Sequence, residues 1–342
     1  MKAVVFLREG KMEVATLPDP EAAPGEVVIR VLGCGVCGTD VHIFHGHLKE
    51  GVVPPVVLGH EIVGEIVAVG AGVTQWTEGQ TVAVDPVVGC GRCEFCQLGR
   101  PNLCAAATVI GYSRNGGYAE YAAVPASHVV AVSPAIGLKG GILVETLACV
   151  LNGYERLGFE AGRTAMILGA GAVGLLWNQM FRSSPCTCLI QSEPVAYRRQ
   201  AAIELGANLV IDPSRESVAE RVREVLPDGV DYIVDASGDP EAVEEGIRLV
   251  RKGGTFMVFG VCPKESQIRV DPHELYQREM RVIASKMPPR KLHQAARLLE
   301  SGRIDSERIV TTLRGLDDVV EAIHLFTEGR DRNVKIAIDV TK

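Results

Sequence analysis

The sequence has no surplus of basic residues: 35 Lys and Arg stand against 42 Asp and Glu, a formal net charge of -7 with a pI near 5.7. Without a basic footprint, nucleic acid and anionic membrane surfaces are poor partners, and a small molecule is the expected one. Long apolar runs are also missing. No stretch reaches the ~18 residues of a membrane span, and Met1-Lys2-Ala3-Val4-Val5-Phe6 reads as a first strand without a cleavable signal. These absences point to a cytoplasmic enzyme. Helix signals are nearly absent from the first thirty-odd residues. Apolar, β-favouring runs at Val4 to Leu7, Met12 to Ala15, Glu26 to Leu32, Glu61 to Val69 and Thr81 to Val84 are broken by Pro18, Pro20, Pro24, Gly25 and Gly70, which predicts a mostly β domain of barrel or sandwich type. At 342 residues the chain is long enough for two domains.

What is present begins with a metal-ligand set. Cys37-Gly38-Thr39-Asp40 precedes Gly59-His60-Glu61 by some twenty residues, so a thiol, an imidazole and a carboxylate can converge on one point. Sulfur, nitrogen and oxygen donors together suit Zn2+, and wide spacing with an acid fits a catalytic site better than a structural one. The alternative is a buried thiol beside a hydrogen-bonded core histidine. Further on, Cys90-x2-Cys93-x2-Cys96-x7-Cys104 is spaced to wrap four thiolates around a second Zn2+ in a small lobe. A closed thiolate shell leaves no open position, so that metal stabilises and performs no chemistry. Disulfides and an iron-sulfur cluster are the competing readings, and the spacing in a chain without a signal favours zinc over both.

An apolar helix is predicted at Leu143 to Leu157, with Glu145 inside its apolar face. A buried acid needs a partner: a cation, water, or the zinc. From Arg163 the pattern changes. Thr164 to Leu168 is a continuous apolar run, as in a parallel strand buried on both faces, and it leads into Gly169-Ala170-Gly171-Ala172-Val173-Gly174. Glycines at these places allow a tight turn, backbone approach to a pyrophosphate, and close helix-strand packing. A second strand, Cys188 to Ile190, ends near Glu193, 24 residues after Gly169. An acid there accepts from ribose hydroxyls and repels a 2'-phosphate, so NAD is expected over NADP; Arg198 and Arg199 are what a 2'-phosphate would use. Further strands at Asn208 to Ile211, Tyr232 to Asp235, Thr255 to Gly260 and Met280 to Ala284 alternate with helices at Ser217 to Leu226 and Pro240 to Val250, completing a doubly wound sheet. The tail, helical from Leu292 and ending as a strand at Asn333 to Val340, is expected to return to the first domain, with the active site in the cleft between the two.

With both halves in view, the chain resembles the zinc-dependent medium-chain dehydrogenase family over essentially its whole length. The matching residues are Cys37-Gly38-Thr39-Asp40-x-His42, Gly59-His60-Glu61-x2-Gly64, the four-cysteine lobe and the glycine-rich turn, in that order. The resemblance implies an α/β chain: a GroES-like, mostly β catalytic domain with the zinc lobe at residues 1–150, a Rossmann domain at 151–288, and a return to the catalytic domain at 289–342. It also implies oxidation of an alcohol with hydride passing to nicotinamide. Glu145 turns the likeness towards the polyol branch, which includes sorbitol, arabitol and butanediol dehydrogenases, and more distantly threonine dehydrogenase. Two zinc ions per chain are then expected. Cys37 and His60, with Glu61, Glu145 or both, hold the catalytic one, which lowers the pKa of a substrate hydroxyl; Cys90, Cys93, Cys96 and Cys104 hold the other. Thr39 and His42 form a proton relay, and Asp40 orients His60 by binding its free nitrogen. Thr39 and Asp40 also suit a helix cap. Gly169, Gly171, Ala172, Val173, Gly174, Glu193 and Arg198 are the expected cofactor residues.

Some residues depart from the family pattern. Thr146 follows Glu145 where relatives usually have proline, and Asn152 stands where histidine is common. Trp177-Asn178-Gln179 makes the first Rossmann helix irregular, and Glu193 replaces the commoner aspartate. Ile43, Phe44, Leu48, Arg114 and Arg290 are read as pocket-lining. His45 and His47 are read as its rim, and Cys34, Cys149, Cys186, Cys188 and Cys262 as bystander thiols. The family forms dimers and tetramers through Rossmann-sheet edges, for which Thr255 to Val261 is the expected segment.

Overall fold

The computed structural model describes residues 1–329 and 332–342. It divides into two compact units, one of residues 1–148 with 287–342, the other of residues 149–286. Tail and first domain therefore share one unit.

The first unit is built on strands. Its largest sheet runs Val129–Ala131, Thr81–Val84, Glu61–Val69, Glu26–Gly35, Lys335–Asp339, Val310–Arg314, and Tyr121–Pro125 also pairs with Glu26–Gly35. The Glu26–Gly35 strand is central and apolar, and Val27, Ile29, Val31 and Cys34 have essentially no exposure. Burial of such side chains is worth about 1.5–3 kcal/mol each, which sets the register of the sheet. That register puts Glu61 opposite Gly35 and Ala337 on Gly35's other side. Lys335 and Glu61 are thereby brought onto one patch of sheet. The Val310–Arg314 strand, which has no strong alternation in sequence, is an edge held parallel to Lys335–Asp339.

The second unit is a parallel six-stranded sheet in the order Leu209–Ile211, Cys188–Ser192, Thr164–Leu168, Val230–Asp235, Val250–Val258, Arg281–Ala284. This is the 3-2-1-4-5-6 order of a dinucleotide fold. One expectation fails here. The Thr255 to Val261 segment is not an edge, because Val250–Val258 is paired on both sides; Arg281–Ala284 is the edge strand, mostly exposed, with Val282 at 44%.

Pro134–Leu157 is helical throughout and, by length and composition, apolar enough to cross a membrane. Its apolar character has another explanation, since Ile142, Leu143, Val144, Leu147, Ala148 and Val150 all have no exposure within the protein. It is a core helix buried on most of its circumference.

Candidate active site and metal centres

The glycine turn comes directly off the end of the Thr164–Leu168 strand. A Cβ at Gly174 would collide with the Gly169 carbonyl oxygen, so strand end and helix Ala172–Arg182 can meet only with glycine there. The irregular helix residues now have a role. Asn178 Nδ2 donates to Gln191 Oε1 at 2.8 Å, and Gln191 Nε2 donates to the Gly169 carbonyl at 2.9 Å, so two buried amides tie helix, second strand and turn together. Trp177 is fully buried against Phe181 and Phe259. Glu193 is 4% exposed; Ala170 N donates to its Oε2 at 2.6 Å and Val195 N to its Oε1 at 3.0 Å. Each oxygen keeps a lone pair for a ribose hydroxyl. The two arginines separate: Arg199 binds the Glu193 and Pro194 carbonyls and Asp212, whereas Arg198 lies 4.0 Å from a Cβ placed on Gly171.

Among the described residues, two groups of side chains are placed to hold a metal ion. Cys90, Cys93, Cys96 and Cys104 form the first, with all four sulfurs within 4.8 Å of one another. The Arg92 and Cys93 amides donate to the Cys90 sulfur and bring its pKa down to about 6, while burial pushes Cys96 up to about 11. None of the ten cysteines is paired in a disulfide.

The second group is Cys37, His60 and Glu61, whose ligand atoms also lie within 4.8 Å of one another. Cys37 is the N-cap of helix Gly38–Phe44. His60 follows Gly59, whose φ of +90° turns the chain before the Glu61–Val69 strand begins. Burial disfavours charge on His60, but the negative charges of Cys37, Asp40 and Glu145 outweigh it and raise the pKa well above the usual imidazole value. Three donors of sulfur, nitrogen and oxygen, nearly dehydrated and negative in sum, suit a divalent cation of zinc's type. A second observation fits the same ion. His60 Nδ1 and Asp40 Oδ1 are buried without hydrogen bonds and face each other at 3.8 Å, a placement in which a small closure would give the carboxylate–imidazole bond that orients a metal-ligating histidine.

Asp40 is fully buried, and its Oδ2 accepts from the Cys37 amide at 2.9 Å and the Tyr118 hydroxyl at 3.0 Å. It closes the helix cap and at the same time faces His60 across 3.8 Å. Thr39, half-buried, has its Oγ1 3.7 Å from Cys37 Sγ. His42 is one helical turn on, exposed, with its ring centroid 5.9 Å from that of His47; burial, then the charges of His47 and His45, lower its pKa. Thr39 and His42 share one helix face, as a relay requires.

Glu145 does not join the three-donor group. It is buried on helix Gly137–Leu157 and acts on His60 and Lys335 through its charge. Asn152 hydrogen-bonds Ser285 Oγ within the second unit. Phe44 is core, and Ile43 and Leu48 line a cavity of about 260 Å³ with Phe6, Val52 and Pro54. Arg114 pairs with Glu26 at 2.9 Å, and Arg290 is exposed.

Four residues of the site have no motif of their own. Lys335, 3% exposed, places Nζ 2.8 Å from Glu61 Oε1 and 2.6 Å from Oε2. Burial opposes both charges, yet the Lys335 ammonium lowers the Glu61 pKa and the Glu61 carboxylate raises that of Lys335, so both stay ionised. Thr146, the departure from proline, donates to Glu61 Oε1 at 2.9 Å. Tyr118 binds Asp40, and Tyr112 has its pKa pushed up to about 12 by burial, then by the charges of Cys37 and Glu145.

Residues 23–134 match the alcohol dehydrogenase GroES-like domain, and residues 172–301 match the zinc-binding dehydrogenase domain. The chain is 33% identical over 315 residues to a D-altritol 5-dehydrogenase of Agrobacterium fabrum, covering 91% of each protein. The chain belongs to the zinc-binding dehydrogenases. This zinc-binding dehydrogenase is 32% identical over 327 residues to the L-threonine 3-dehydrogenase of Pyrococcus abyssi, covering 94% of each. Its fold is also that of a solved structure from Sinorhizobium meliloti 1021, described as a zinc-binding dehydrogenase bound to NADP: 35% identity, 99% and 98% of the two chains covered, TM-score 0.95. It is a zinc-dependent alcohol oxidoreductase with a GroES-like and a Rossmann domain.

Proposed function

We propose that this dehydrogenase oxidises a secondary alcohol of the polyol or sugar-alcohol class to the ketone, with NAD as hydride acceptor. The convergence of Cys37, His60 and Glu61 within 4.8 Å carries this reading, because among the described residues of the first unit it is the three-donor group that leaves room for a hydroxyl on the metal. When bound, the zinc is a Lewis acid that lowers the pKa of the substrate hydroxyl, and the nicotinamide accepts the hydride leaving carbon. The chain's own residues do the rest. Thr39 takes the hydroxyl proton and passes it along its helix face to His42 at the surface. Asp40 holds His60 in one tautomer, and Lys335 with Thr146 fixes Glu61. Glu145, outside the three-donor group, adds negative charge beside the metal site. The amides of Ala172 and Val173 at the start of Ala172–Arg182 receive the pyrophosphate, Glu193 the ribose hydroxyls, and Arg198 borders the same turn. The cysteine lobe holds the structural zinc.

The D-altritol relative supports a polyol, and the threonine relative, at nearly equal identity, supports an amino alcohol as the second reading. The test is reduction of the dinucleotide with a panel of polyols, simple secondary alcohols, sugar phosphates and threonine, each with NAD and NADP. Turnover of a polyol with NAD, lost in Cys37→Ala, is the expected result; turnover of threonine alone replaces it with the second reading. A preference for NADP that Glu193→Gln leaves unchanged removes the ribose role from Glu193. We also propose self-association as a dimer or tetramer. Edge strand Arg281–Ala284 leaves its backbone unpaired on one side with Val282 exposed, which suits pairing with a second copy. Ten cysteines outside any disulfide suit a reducing, cytoplasmic setting.

A further inference from the structure

Tyr118 has no exposure, and its ring and hydroxyl reach two different loops of the metal site. The ring lies against Gly59, where a Cβ would stand 2.9 Å from its Cδ1 and Cε1. Backbone bonds hold this contact: Tyr118 N donates to Leu58 O at 3.0 Å and Gly117 N to Gly59 O at 2.8 Å. The segment delivering His60 is thus built onto Tyr118. The hydroxyl reaches the other way, to Asp40 Oδ2 at 3.0 Å, with the Gly35 carbonyl 3.3 Å from the same oxygen. A phenol has one proton to give, and a carboxylate is the stronger acceptor, so Asp40 receives it.

The consequence lies in how the two Asp40 oxygens divide. Oδ2 takes both donors, the Cys37 amide at 2.9 Å and the tyrosine. Oδ1 has no partner and faces the equally partnerless His60 Nδ1. An aspartate free to rotate would spread its donors over both oxygens. Anchored through Oδ2, it keeps Oδ1 for the histidine.

We propose that Tyr118 is a positioning residue for the catalytic metal: it reserves one oxygen of Asp40 for His60 while its ring fixes where Gly59 delivers that histidine. The proposal rests on reading Cys37, His60 and Glu61 as metal ligands, and the experiment separates the two. Metal is first counted in the wild-type chain. About two ions per chain uphold the ligand reading, whereas one would sink that reading and this proposal with it. Tyr118→Phe keeps the ring and removes only the hydroxyl. Affinity for the catalytic metal is then measured by chelator competition, and the cobalt-substituted protein is examined by visible absorption. The expected result is roughly a ten-fold weaker catalytic metal, the low end for partners behind a ligand. A shifted cobalt band, a lower kcat with unchanged KM for the dinucleotide, and an unaltered lobe metal accompany it. Unchanged affinity and cobalt band in Tyr118→Phe would overturn the proposal. Asp40→Asn gives the second arm: the tyrosine acts through the aspartate, so the double variant loses no more than Asp40→Asn alone. Additive losses, or an Asp40→Asn chain that holds metal as tightly as wild type, would also overturn it.

Discussion

The two metal groups make opposite use of the chain. The lobe takes all four sulfurs from the fifteen residues Cys90 to Cys104. The catalytic group takes three unlike donors from two loops and surrounds them with Asp40, Thr146 and Lys335, drawn from a helix start, a core helix and the last strand. A structural ion needs only enough identical ligands to close its shell. A catalytic one must keep a position open, so its geometry is fixed from behind by partners that never touch the substrate.

The largest test of this contrast is Cys37→Ser. Activity should be lost and metal content fall from two ions per chain to one, as read by metal analysis, with the lobe ion remaining; loss of both would show that the sites are not independent. Next is Lys335→Met in the metal-free protein, which leaves the buried Glu61 carboxylate with the Thr146 hydroxyl but without its ammonium partner. Breaking a buried pair in this way costs on the order of 3–5 kcal/mol, so chemical denaturation should report a drop of that size. Lys335→Arg should recover part of it.

The same pair has a pH signature. Glu61 has a folded pKa below its ordinary value, so its contribution is present above the usual carboxylate range and is lost as pH falls through the lowered value. Lys335 is raised, so its contribution is present below the ordinary lysine range and lost only as pH climbs through the higher value. The pair stabilises across the whole neutral span, and Lys335→Met should abolish that contribution there.

In the lobe, Cys93→Ser should release one ion and lower the thermal midpoint, while the protein that stays folded keeps its turnover per catalytic metal. The smallest effect belongs to Asp85, just before the lobe. Burial raises its pKa to about 6, more than the Val87 amide and the charge of Arg290 lower it. Its stabilising, protonated form is present at acid pH and is lost as pH rises through about 6. Asp85→Asn should gain up to about 3 kcal/mol at pH 8 and flatten the stability curve between pH 4 and 7.

Much of this was legible in the sequence, and what was not follows from the same contrast. The cysteine quartet, the glycine turn and the Cys37, His60 and Glu61 donors are recognisable because each lies in a short run with fixed chemistry. All six Rossmann strands were legible from their apolar runs. The Val310–Arg314 strand was not, because it is a partly exposed edge. Lys335 looked like any surface lysine, for its partner is 274 residues away and only the antiparallel pairing of Lys335–Asp339 with Glu26–Gly35 brings them together. Thr146 stood out only as a departure from proline, and its bond to Glu61 spans 85 residues. Tyr118 reads as an ordinary strand aromatic until its hydroxyl is traced 78 residues back to Asp40.

The position of Lys335 also bears on how the protein is made. Glu61 leaves the ribosome 274 residues before Lys335, so its carboxylate has no ammonium partner until the Lys335–Asp339 strand is made. The sheet around that acid gains its neutralising cation only when the final strand slots in beside Glu26–Gly35. Maturation of the catalytic pocket is therefore a late event, completed by the chain's own tail after the Rossmann domain has emerged.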